Sequence, residues 1–144
     1  MILTDWPSLL TKAAGLQLRP GATPQALDRC AERLQVTFPA QLKQLYLVSD
    51  GVYDQRGHWS VIWSLADLAE LNERQWAEGG PQRQELLAFG DDGTGIPFCV
   101  SRDGGSSVFS WNPIEARPRW LANDLGDFWA GWTTGEITTY FAAA

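Results

Sequence analysis

Residues 86–111, LLAFGDDGTGIPFCVSRDGGSSVFSW, constrain the fold more than any other part of this sequence. Leu86 to Phe89 is a short apolar run ended by Gly90, and Gly93 and Gly95 supply the positive φ angles that a tight reversal needs. That spacing predicts Asp91 and Asp92 at an exposed loop tip. From Ile96 the pattern alternates, with Ile96, Phe98 and Val100 on one face and Pro97, Cys99 and Ser101 on the other, as in a half-buried strand. Pro97 has no N–H to give a ladder, so its strand keeps an unpaired side at that point. Asp103-Gly104-Gly105 carries the chemistry of a hairpin turn, and Ser107 to Trp111 returns. The prediction is an antiparallel meander packed on one face.

Helical spacing surrounds this strand-rich centre. Asp5 to Gly15 repeats apolar residues at Trp6, Leu9, Leu10 and Ala13. Thr23-Pro24 is a helix start, a hydroxyl at the N-cap and proline at the first helical position, and Leu27, Cys30, Ala31 and Leu34 follow on one stripe. After Val36-Thr37-Phe38, Pro39 opens a third helix with Leu42, Leu45 and Tyr46 inward, and Ser49-Asp50-Gly51 closes it with a glycine suited to the left-handed C′ position. Trp59 to Trp63 reads as a strand. Ser64 and Asp67 form a capping-box pattern that launches a helix from Leu65 to Trp76, its stripe being Leu65, Leu68, Ala69 and Asn72. Glu78-Gly79-Gly80-Pro81 reads as a break. Asn123 or Asp124 caps a last helix with Leu125, Phe128, Trp129 and Trp132 on one face, and Ala142 to Ala144 is expected to fray. Helices at both ends and strands between them predict an α+β fold, and 144 residues suit one domain that buries its core without disulfides or metals.

Composition narrows the function classes. Residues 1–49 carry five Lys/Arg against three Asp/Glu, whereas residues 50–144 carry six against fourteen, so balances of +2 and −8 give the net −6. An acidic surface repels nucleic-acid phosphates and draws basic proteins, mainly by raising the association rate. The expected partner is therefore a basic protein, with neither nucleic acid nor membrane bound directly. No apolar run reaches the roughly 20 residues of a membrane span, and Met1 to Ala14 lacks the basic start and apolar core of a signal peptide, which makes the cytoplasm the expected compartment. Nine arginines against two lysines hint at a GC-rich bacterial genome. Cys30 and Cys99 have neither metal-motif nor disulfide-scaffold spacing and are expected to be buried thiols.

Catalytic signals are sparse. His58 is the single histidine and sits in the polar run Asp54-Gln55-Arg56-Gly57, which suits a solvated loop side chain better than a general base. The sequence contains no GxSxG, HExxH, Walker or CxxC motif. Asp91-Asp92-Gly93-Thr94-Gly95 lacks the distal glutamate of a calcium loop and the Lys-Ser/Thr of a phosphate loop. Neither an enzyme, a cofactor nor a metal is expected. Of eight tryptophans, Trp63, Trp111, Trp76, Trp129 and Trp132 fall on predicted elements and read as core, leaving Trp6, Trp59 and Trp120 open.

Three features in this order resemble the SUKH superfamily, the domain shared by a fungal cell-wall assembly regulator and many bacterial toxin-immunity proteins. They are Phe38-Pro39-Ala40 leading to Val48-Ser49-Asp50-Gly51, the Trp59 to Leu65 strand with its following helix, and Leu87-Ala88-Phe89-Gly90-Asp91-Asp92-Gly93-Thr94-Gly95 with Ile96 to Val100, Val108 to Trp111 and the aromatic helix around Phe128. The resemblance covers residues 23 to 132. It implies a largely antiparallel sheet flanked by helices, no generally recognised catalytic residues, and, in bacterial members, neutralisation of toxin domains that are often nucleases. Ile96 departs from the pattern, standing where a polar or acidic residue is expected.

The expected function is a non-enzymatic protein-binding module, an immunity protein whose acidic loops meet a basic toxin. Asp91 and Asp92 are the leading candidate contacts, with Asp54, Asp103 and Trp59 beside them. A housekeeping scaffold or regulator is the alternative, and a small-molecule or glycan site at Trp59 a third.

Overall fold

The computed structural model describes residues 5–12, 15–54 and 60–139. Helix α1 spans Trp6–Lys12 and strand β1 Gln17–Leu18, followed by helices α2 (Pro24–Leu34) and α3 (Ala40–Val48). Strands β2 (Val52–Tyr53) and β3 (Ser60–Ile62) precede helices α4 (Leu65–Glu78) and α5 (Gly80–Gln84). Strands β4 (Leu86–Asp91), β5 (Pro97–Ser101), β6 (Val108–Asn112) and β7 (Arg117–Ala122) then lead to helix α6 (Leu125–Thr134). The seven strands among the described residues form one open antiparallel sheet in chain order, β1 to β7. The α+β meander with helices at both ends is thus the observed architecture.

Helix starts follow local chemistry. The Thr23 hydroxyl accepts from Ala26 N at 3.0 Å, and Asp124 accepts from Asp127 N at 2.8 Å. At α4 the Ser64 hydroxyl accepts from Asp67 N at 3.2 Å, while Asp50, from the end of α3, accepts from Leu65 N at 2.8 Å. A carboxylate 15 residues back thus joins the Ser64 hydroxyl in completing the cap. Helix α3 ends differently from the expectation. Its C-cap is Ser49 in an extended conformation, and Gly51, with φ +103°, makes the reversal two residues later. Helix α4 ends at Glu78, within the predicted break Glu78-Gly79-Gly80-Pro81, and the unpredicted α5 opens directly after it, because proline is tolerated in a first helical turn, where its missing N–H is not needed.

The meander is packed more thickly than alternation implied. Leu86 to Gly90 and Pro97 to Val100 are buried at every position, so residues pointing to opposite faces are both covered. Helix α6 lays Phe128 and half-buried Trp132 on Phe98, with ring centroids 4.8 and 4.9 Å away, and Phe128 meets Phe89 edge to face at 6.1 Å. On α4 the predicted stripe Leu65, Leu68, Ala69 and Asn72 is buried throughout. Trp6 and Trp129 form an edge-to-face pair at 6.4 Å in the core, whereas Trp120 on β7 is 55% exposed. Cys30 and Cys99 are buried and free, and burial pushes each thiol up to about 11. Pro97 sits opposite Asp91, and the β5–β6 ladder starts only at Phe98, which leaves the proline's donor-free side without a partner strand.

One polar assembly lies inside this apolar frame. Strand β3 ends at Ile62 and gives Ala88 no cross-strand partner, so the Asn72 amide takes that place. Its Nδ2 donates to Ala88 O at 2.7 Å and to Leu68 O at 2.8 Å, and its Oδ1 accepts from Ala88 N at 2.8 Å. Arg83, 1% exposed, donates to Leu86 O at 2.7 Å, to Asn72 Oδ1 at 3.1 Å and to Gln75 Oε1. Burial pulls the Arg83 guanidinium below its usual value, and its Nε is left without a partner. These contacts tie α4, α5 and β4 together.

Candidate functional site

The register decides which predicted site residues lie together. Because Tyr53 opposes Ser60 and Ile62 opposes Gly90, the end of β2, the start of β3, the end of β4 and the start of β5 share one end of the sheet. Asp54, Asp91 and Asp92 therefore belong to one end, joined by the β6–β7 turn with Glu115 and Arg117, which form an ion pair at 2.6 Å. Asp103 lies at the opposite end, on the β5–β6 turn. Trp59 and His58 lie outside the described residues.

The two leading candidates are placed differently from the exposed tip that the glycine spacing suggested. Asp91 is the last residue of β4, both carboxylates are half-buried, and Gly93 to Gly95 form the exposed tip. The reason is that both side chains turn inward to satisfy the loop. Asp91 accepts from Trp63 Nε1 at 3.0 Å and from Gly93 N at 2.7 Å. Asp92 Oδ1 accepts from Thr94 N at 2.8 Å, Thr94 Oγ1 at 2.7 Å and Ile96 N at 3.2 Å, and its Oδ2 accepts from Thr139 Oγ1. Aspartates commonly build such loops on their own backbone. Burial alone would raise the Asp92 carboxyl, but the hydroxyls of Thr139 and Thr94 and the backbone N–H groups of Thr94 and Ile96 outweigh it and hold it below the usual value. The loop thus presents a fixed negative charge.

Asp103 is also held below its usual value, first by the Ser101 hydroxyl at 2.7 Å and then by Gly105 N at 3.0 Å. Gly104, with φ +93°, makes the predicted turn there. Arg102 beside it donates to Gln84 O and Leu34 O at 2.9 Å each and stacks over Trp76 at 3.9 Å, so this turn is pinned to the helical layer. Among the described residues no group of three or more His, Cys, Asp or Glu side chains could hold a metal ion, and no helix is long and apolar enough to cross a membrane.

Sequence reading did not find the C-terminal wall of the site. Residues 135–139 follow α6 back to the β4–β5 loop, with Ile137 N bonded to Gly131 O at 3.0 Å and Thr139 reaching Asp92. Gly131 is the recognisable signal, since an ideal Cβ there would stand 2.4 Å from the Ile137 side chain.

An antiparallel meander with an acidic, hydrogen-bonded loop at one end, enclosed by an aromatic C-terminal helix, defines a small α+β domain of the kind that the Asp91 to Gly95 segment resembles. The chain belongs to the SMI1 / KNR4 family (SUKH-1), whose model matches residues 21–131. No curated protein matches the chain significantly.

Proposed function

We propose that this chain is a non-enzymatic protein-binding module, an immunity protein that neutralises a bacterial toxin domain in the cytoplasm. Its acidic sheet end, with Asp54, Asp91 and Asp92, meets a basic surface of the toxin, such as the cleft with which a nuclease holds nucleic acid. The observation that carries this reading is the convergence of those three aspartates in a chain of the SMI1 / KNR4 family. Charges held rigidly before contact steer the encounter without an ordering cost, and aromatic anchors slow dissociation. Asp103, at the other end, serves as a separate contact for a partner that wraps the sheet. The family's cell-wall assembly regulator supports a second reading, a scaffold with a host partner and no toxin.

The test is recovery of the tagged protein from its native host at low salt, with bound proteins identified before and after a high-salt wash. A stoichiometric basic toxin domain that the wash removes is the expected result. Recovery of a host regulatory protein alone overturns the immunity reading in favour of the scaffold, and recovery of no partner overturns both.

A further inference from the structure

The acidic end contains a cavity of about 210 Å³ bounded by Asp92, Thr94, Trp132, Gly135, Ile137, Thr138 and Thr139. The geometry points to this cavity as the socket for one cationic side chain, lysine or arginine, of the protein partner. The inference deepens the reading above and rests on it.

Five features select a long cationic side chain. Asp92 Oδ1 is saturated by the loop, whereas its Oδ2 accepts only the Thr139 hydroxyl among the described residues and keeps acceptor capacity. Among the described residues no lysine or arginine lines the cavity, so none of them supplies the carboxylate with a counter-charge there. Helix α6 ends at this wall, with Gly135 at φ +83°, and turns the negative end of its dipole toward the same space. Trp132 is held by Phe98 at 4.9 Å and stacked with Phe128, so its ring is a fixed wall on which an ammonium or guanidinium group gains cation–π attraction. Ile137 supplies an apolar surface for the methylene stem of a long basic side chain. An uncharged side chain would gain from the ring and Ile137 but leave the carboxylate unanswered.

The experiment titrates the full chain with N-acetyl-lysine amide, N-acetyl-arginine amide, uncharged N-acetyl-norleucine amide and N-acetylglucosamine. Amide resonances of Thr94, Gly135 and Thr139 and the Trp132 indole are followed. Saturable shifts confined to these groups, produced by either cationic amide and weakened several-fold between about 0.01 M and about 0.15 M salt, are expected. Absence of shifts, equal shifts from norleucine amide, or shifts from the sugar alone overturn the proposal. Thr138→Lys places a competing cation at the half-buried rim and leaves the Asp92 hydrogen bonds in place. Loss of the shifts in this variant supports the socket, and their persistence overturns it. If a basic partner associates with Thr138→Lys as fast and as tightly as with the parent, the socket is overturned and the immunity reading stands. If the cationic amides bind but no basic partner is recovered, the immunity reading falls and the socket stands.

Discussion

The Asn72 side chain pairs with both backbone polar groups of Ala88, at 2.7 and 2.8 Å, and so acts as one more residue of sheet where β3 has run out. The same oxygen also receives Arg83, making this amide the junction of α4, α5 and β4.

Asn72→Ala leaves the N–H and C=O of Ala88 unpaired in the core and removes an acceptor from Arg83. Each buried group left unsatisfied costs about 1–3 kcal/mol, so the variant is expected to lose about 2–4 kcal/mol in urea denaturation. A loss below about 1 kcal/mol would show that water or a backbone shift replaces the amide.

Gly90 is required by the close approach of β3. An ideal Cβ there would stand 2.0 Å from Val61 O, a backbone atom that cannot swing away. Gly90→Ala must part the two strands, and about 2–3 kcal/mol of destabilisation is expected from overpacking. Amide exchange at Ile62 and Trp63 should rise more than at Phe109 in β6, and a uniform rise would argue against this local cause.

The lowered carboxyl of Asp92 makes stability depend on acid. Its folded value lies below its unfolded one, which is near 3.9, so its contribution is present above about pH 4 and disappears as pH falls through the folded value. Urea midpoints should drop across that window, and Thr94→Val should shrink the drop by removing one donor. Asp103 adds to the same slope, so Asp92→Asn should flatten it without abolishing it. An identical pH profile for Asp92→Asn would remove Asp92 from the account.

Both thiols should resist alkylation in the native state. With Cys30 and Cys99 pushed up to about 11 and buried, iodoacetamide at pH 8 should label neither within the time that labels both in urea. Rapid native labelling of one cysteine would mark local opening around α2 or β5.

What could be read from the sequence followed from short-range chemistry. Thr23-Pro24, Ser64 with Asp67, and Asp124 fixed their helix starts because a cap needs only its next three residues. Strands β1 and β2 stayed hidden because each is two residues long, and β7 because Arg117 to Trp120 are exposed and show no alternation. At the candidate site the acidic glycine loop was visible from residue type, but the inward turn of Asp91 and Asp92 was not. That turn depends on Trp63 and Thr139, which are 28 and 47 residues distant. Asn72 showed itself as a member of the apolar stripe, and only the early end of β3 explains why an amide belongs there.

The agreement between strand order and chain order governs how the sheet assembles. From β4 to β7 each ladder joins segments separated by a short turn, so contacts form at small entropic cost. The β3–β4 ladder must instead close across residues 63–85, costing about 1 kcal/mol more in loop entropy than the closure across residues 92–96. Helix α4 shortens that span by folding within it, and Asn72 arrives at Ala88 as part of the same helix. The residue that extends the sheet in the finished molecule is thus carried by the helix that shortens the span across which β3 and β4 must meet.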